Sequence, residues 1–176
     1  MTTAAPWILG LALTLTTAAG ALAADSAKAV FKDTKGNQIG TATLMQTPNG
    51  VLIDAELSSL PPGEHGFHIH QAGRCDQADG FKSAGGHHSP AKREHGFKME
   101  GGPHAGDMPN QFVSADGKLR IHVFNSKVSL TRGENALLGG GGGALVIHAK
   151  ADDYRSQLAG DAGDRIACAV IEPVGG

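Results

Sequence analysis

Net charge is almost absent from this 176-residue chain: 15 Lys and Arg stand against 17 Asp and Glu, leaving −2 at pH 7 with histidine neutral. That balance gives no electrostatic case for binding nucleic acid or a membrane surface. A sustained helical period is missing too, and no internal repeat is found, which excludes helical bundles and repeat arrays. Charged side chains do not occur before Asp25, in "MTTAAPWILGLALTLTTAAGALAADS". With an apolar middle and a small-residue "ALA" ending at Ala23, residues 1–23 read as a secretory signal peptide without the usual basic start. Threonines, a glycine and small alanines dilute the run, which argues against an uncleaved membrane anchor, and no cysteine stands near the cut to carry lipid.

Removal of that leader leaves residues 24–176 as one domain, long enough to bury roughly 68–70% of its unfolded surface. Cysteine is scarce, with only Cys75 and Cys168. In an exported chain the two are expected to form one disulfide, worth about 4–5 kcal/mol in the chain-entropy description.

What the sequence does contain is short β-type runs separated by turn residues. "AKAVFKD", "IGTATLMQ" and "VLIDAEL" are joined by "KGNQ" and "TPNG" and predict an antiparallel meander. "LRIHVFN", "GALVIHAK" and "RIACAVIE" add later strands, so the expected class is an all-β sandwich or barrel. Two long segments interrupt them, one from Gln71 to Phe112 and a shorter one, "ADDYRSQLAGDAGD". Loops of such length are expected to be functional or tied down.

Histidine carries the chemistry. In "EHGFHIHQAGRC", a strand of period two puts His68 and His70 on one face and turns His65 away, toward backbone groups or packing. Seven of the nine histidines lie between residues 65 and 104, a clustering that isolated core histidines do not explain. His95, His104 and Asp107 on one loop, with one further donor, suit a closed tetrahedral zinc site. His68, His70 and His148 offer three imidazoles that suit copper, and by spacing alone His87 fits either group.

The motifs "HGFHIH", "SAGGHHSP", "HAGDMPN", "ALVIHAKADDY" and "GDAGDRIACAVI", in this order, resemble the copper/zinc superoxide dismutases, in particular the exported bacterial branch. The resemblance spans roughly residues 28–173. It implies a Greek-key β-barrel or sandwich of about eight antiparallel strands with two long functional loops. It also implies copper on His68, His70, His87 and His148, and zinc on His87, His95, His104 and Asp107, with His87 as a bridging imidazolate. Asp152 then corresponds to a carboxylate accepting from one histidine of each site, and Arg165 to an arginine that holds a small anion beside the copper, with His87 as proton donor. The Cys75–Cys168 bond would pin the long loop near that arginine. The activity implied is disproportionation of superoxide by copper redox cycling with structural zinc, in a periplasmic monomer or homodimer free of the membrane once the leader is removed.

Some positions depart from the pattern. His88 stands where the family commonly has an aromatic residue, and of three roles (stray donor, polar rim residue, planar filler) the filler is favoured. His122 lies outside every ligand motif and reads as a strand histidine, and Ala169 replaces a common glycine. The alternative function, a copper or zinc storage or delivery protein on the same fold, fits less well, because every candidate ligand, Asp152 and Arg165 are present. A hydrolase fits poorly, since a four-ligand zinc site leaves no position for water.

Overall fold

The computed structural model describes residues 25–174 together with Met1; the expected signal peptide therefore lies, apart from Met1, outside the described residues. Nine strands follow in chain order: β1 (Ser26–Asp33), β2 (Gln38–Thr47), β3 (Gly50–Leu57), β4 (Gly63–His65), β5 (Phe67–His70), β6 (Gln111–Val113), β7 (Leu119–Asn125), β8 (Ala144–His148) and β9 (Arg165–Pro173). Seven of them form one antiparallel sheet in the order β5-β8-β9-β1-β2-β3-β7, and β4 pairs with β6. Curling of this sheet makes an all-β half-barrel, within the expected barrel or sandwich class, with its crossover from β3 to β7. No helix among the described residues is long and apolar enough to cross a membrane.

The meander forms as the alternation predicts. Ala27, Ala29 and Phe31 on β1 and Val51, Ile53, Ala55 and Leu57 on β3 point into one core, while Lys28, Asp54 and Glu56 face water. Strands β5 and β8 differ, because every residue in both is buried. Phe67 and Ile69 of β5, with Leu145 and Ile147 of β8, face the main core. On the other face Ala144 and Val146 pack with Phe81, Ala84 and Cys168 into a second, smaller cluster. Burial of a Phe81-sized side chain contributes about 1.5–3 kcal/mol, so this loop is held by its own apolar contacts as well as by the disulfide.

The histidine segment is not one continuous strand. It divides at Gly66, whose N–H donates to the Lys150 carbonyl (2.8 Å) and whose carbonyl accepts from His148 N–H (2.9 Å). His65 consequently belongs with β4, and its ring nitrogens meet the carbonyls of His148 (2.7 Å) and Pro61 (2.8 Å), the backbone role expected of it. This division, with β6 as its partner, raises the strand count from about eight to nine.

Candidate metal centre

Strand β5 ends the main sheet, and its outer edge is covered by the long loop. Ile69 N–H donates to Gly106 C=O (2.9 Å), His88 N–H to Ile69 C=O (2.8 Å) and Gln71 N–H to Gly86 C=O (2.9 Å). Unpaired strand groups are thereby satisfied, and the same pairings bring His87 opposite His70 and Asp107 opposite His68. His148 ends β8 and pairs across to Arg165 at the start of β9. Sheet and loop together gather six histidines and two aspartates into one buried volume.

Two donor sets result. His68, His70, His87 and His148 each offer a nitrogen within 4.8 Å of the others, and His87, His95, His104 and Asp107 do the same. In most of these rings the nitrogen that does not converge is already engaged. His70 Nδ1–H donates to Gly85 C=O (2.9 Å) and His148 Nδ1–H to Gly163 C=O (3.2 Å). Their Nε2 atoms, 3.3 Å apart, then both carry lone pairs and neither can donate to the other. His68 Nε2 bonds Asp152 Oδ2 (2.8 Å) and His95 Nε2 bonds Asp152 Oδ1 (3.0 Å).

The nitrogens left over decide what the centre is for. His68 Nδ1 and His87 Nε2 are buried without any hydrogen-bond partner, a condition that costs about 1–3 kcal/mol each. Both belong to the all-histidine set. On the other side, Asp107 Oδ1 lies 2.8 Å from His87 Nδ1, 3.1 Å from His95 Nδ1 and 3.3 Å from His104 Nδ1. Its Oδ2 accepts from the N–H groups of Gly96 (2.9 Å) and His104 (3.0 Å), which fix the carboxylate plane. Four converging imidazoles fit copper, and three imidazoles with one carboxylate fit zinc. His87 alone contributes to both sets, through opposite ring nitrogens.

Electrostatics sort the same groups. Burial disfavours the charged imidazole and, with neighbouring rings adding to it, lowers His87 to about 4, His148 to about 3 and His70 well below its ordinary value. His68 is lowered as well, by burial against the opposing pull of Asp152. Neutral rings keep the lone pairs that metal ligation needs. At His95, burial is outweighed by hydrogen bonds to Asp107 and Asp152, which raise it to about 9. Burial would raise Asp107 and Asp152, but the hydrogen bonds from surrounding histidines and backbone N–H groups hold both well below the carboxylate range. Carboxylates held ionised in this way keep their negative charge and lone pairs available to a metal cation.

Arg165 stands at the margin of the all-histidine set and is half-buried. Its two terminal nitrogens donate to the carbonyls of Phe81 (2.5 Å) and Gly85 (2.6 Å), and its charge helps lower His70 and His148. Both carbonyls belong to the loop that Cys75 ties to Cys168, across 93 residues with a Cα separation of 5.7 Å. The disulfide expected from the sequence is therefore present.

His88 lies outside both donor sets, buried beside Gln71, Ser89 and Glu134 in a surface cavity of about 370 Å³. His122 is exposed on β7 and contacts Asp54, as a strand histidine should. Ala169 is packed in the main core. Residues to which sequence reasoning gave no role also touch the site: the carbonyls of Gly85 and Gly163, and the carboxamides of Asn110 and Gln157. Asn110 stood within a recognised motif, but a single carboxamide carries no pattern that marks its partner.

Comparison with known proteins follows the same line. A family model described as copper/zinc superoxide dismutase matches residues 38–171. Superoxide dismutase (Cu-Zn) 1 from Aquifex aeolicus is 53% identical over 140 residues, 78% of this chain and 82% of that protein. The superoxide dismutase (Cu-Zn) of Caulobacter vibrioides is 43% identical over 150 residues, covering 84% and 86%. Among solved structures, the Cu/Zn superoxide dismutase from Brucella abortus superposes with a TM-score of 0.68 at 30% identity, covering 84% of this chain and 99% of that one. A double mutant of an SOD-like protein from Bacillus subtilis gives 0.78 at 38% identity, covering 81% and 95%. With the motifs, the curled sheet and the two donor sets in agreement with these matches, the chain belongs to the copper/zinc superoxide dismutase family.

Proposed function

We propose that the buried histidine centre disproportionates superoxide, with copper held by His68, His70, His87 and His148 and zinc by His87, His95, His104 and Asp107. The observation that carries this reading is the pair of buried, unpartnered nitrogens, His68 Nδ1 and His87 Nε2, facing the same space as the Nε2 atoms of His70 and His148. When bound, copper supplies the one-electron redox change that turns two superoxide anions and two protons into dioxygen and hydrogen peroxide, while zinc, which has no redox chemistry, holds geometry.

The chain's own residues supply the rest. Arg165, with its guanidinium locked on two carbonyls, keeps a permanent cation with remaining N–H donors beside the site, and so attracts and orients a small anion. His87 Nε2 is the atom at which a proton can be held and delivered, because Nδ1 is engaged on the Asp107 side. Asp152 holds His68 and His95 through one carboxylate and so couples the orientation of the two donor sets.

Residues 1–23 act, in this reading, as a cleaved signal that delivers a single domain, residues 24–176, to the periplasm, where it works as a monomer or a homodimer without a membrane anchor. N-terminal sequencing of the exported protein tests the cut at Ala23, and sedimentation reads the oligomer. A storage or delivery role is the less favoured alternative, since both donor sets and Arg165 are present together. Superoxide consumption by the metal-loaded mature protein, with metal content measured beside His148→Ala, tests the assignment. Turnover by the wild type with loss in the variant supports it, whereas an inert wild type holding both metals contradicts it.

A further inference from the structure

Two carboxamides are arranged reciprocally around the Asp152–His95 contact. Asn110, on the long loop, accepts from the Asp152 N–H through Oδ1 (2.9 Å) and donates through Nδ2 to the Asp152 C=O (2.9 Å). Gln157, on the second loop, accepts from the His95 N–H through Oε1 (2.8 Å) and donates through Nε2 to the His95 C=O (3.0 Å). Each loop thus sends one amide side chain across to read both backbone groups of the other loop's residue. Between them runs the bond from His95 Nε2 to Asp152 Oδ1 (3.0 Å).

The geometry points to Asn110 and Gln157 as positioning residues that set how tightly zinc is retained. This inference rests on the ligand assignment above. Neither side chain is in a donor set. Each fixes the backbone of a residue whose side chain orients ligands: Gln157 sets His95 directly, and Asn110 sets Asp152, which in turn holds His95 and His68.

The two loops also pack closely at this point. A Cβ placed at Gly160 would lie 1.8 Å from Asp152 Oδ1 and 2.8 Å from His95 Nε2, and one at Gly96 would lie 2.1 Å from the Tyr154 carbonyl oxygen. The Tyr154 hydroxyl adds a further tie by accepting from the Asn110 N–H (2.7 Å). Loss of one carboxamide frees two backbone groups at once and allows the loops to part, so the metal ligand His95 can leave without disruption of the barrel.

The test is zinc release from holoprotein into excess chelator, together with the visible spectrum of protein carrying Co(II) in place of zinc. Gln157→Leu and Asn110→Leu are each expected to speed release about tenfold or more, and to weaken the Co(II) band as coordination opens. Gln157→Glu keeps the acceptor for His95 N–H but loses the donor, and is expected to fall between wild type and Gln157→Leu; it also decides the matter if the leucine variants fail to fold. Release at the wild-type rate with an unchanged Co(II) band overturns the inference, including when only the thermal midpoint drops. A wild type that takes up no Co(II) overturns the ligand assignment instead.

Discussion

Two histidine–aspartate pairs sit at opposite sides of this sheet and do different things. His122 on β7 contacts Asp54 on β3 with side chains 74% and 60% exposed, whereas His68 on β5 bonds Asp152 with both side chains at 0%. The residue types are the same, and each contact joins a ring nitrogen to a carboxylate oxygen. What differs is cover: the β2–β3–β7 face is open to water, while the face of β5 and β8 lies beneath two loops. In water the pair is worth about 0–1 kcal/mol and its nitrogens are hydrated. Under the loops, Asp152 fixes one nitrogen of His68 and leaves the other without any partner, so the ring is prepared for a cation. A histidine therefore becomes a ligand here through what surrounds it.

The largest break in this comparison should come from removing the staple of the cover. A Cys75→Ala, Cys168→Ala double variant is expected to lose about 4 kcal/mol in urea unfolding, and its superoxide turnover should fall further because the Phe81 and Gly85 carbonyls no longer hold Arg165. Next in size, Asp152→Ala should weaken metal binding about 10- to 100-fold in competition with a chelator, since His68 and His95 both lose an acceptor. Gly160→Ala should cost about 1–3 kcal/mol of stability, as a methyl group is forced onto the Asp152 carboxylate at a position with φ of +69°. Smallest of all, Asp54→Ala and His122→Ala on the open face should change stability by less than about 1 kcal/mol and leave metal content untouched.

The open half was legible in the sequence because each of its strands obeys a single rule, alternation between core and water. β1, β2 and β3 form where the runs and turns place them. The shared face of His68 and His70 was legible by the same rule, and it held even though both faces of β5 are buried. The break at Gly66 was not, because its cause is a pair of hydrogen bonds to Lys150 and His148, far along the chain. Spacing left His87 open between the two groups, and family resemblance rather than spacing suggested the bridge. The structure shows how each side is reached, since the loop pairs along the β5 edge and presents one ring nitrogen to each donor set. Asn110 and Gln157 escaped notice because their partners are backbone atoms, which leave no trace in residue type.

The central claim is that His87 is shared by two metals under this cover. Electron paramagnetic resonance of protein carrying Cu(II), before and after Co(II) is added in place of zinc, tests it most directly. A shared imidazole couples the two spins, so the Cu(II) signal should vanish as the second metal binds and should persist in His87→Ala. A wild-type Cu(II) signal that keeps its full intensity with both sites filled would contradict the account.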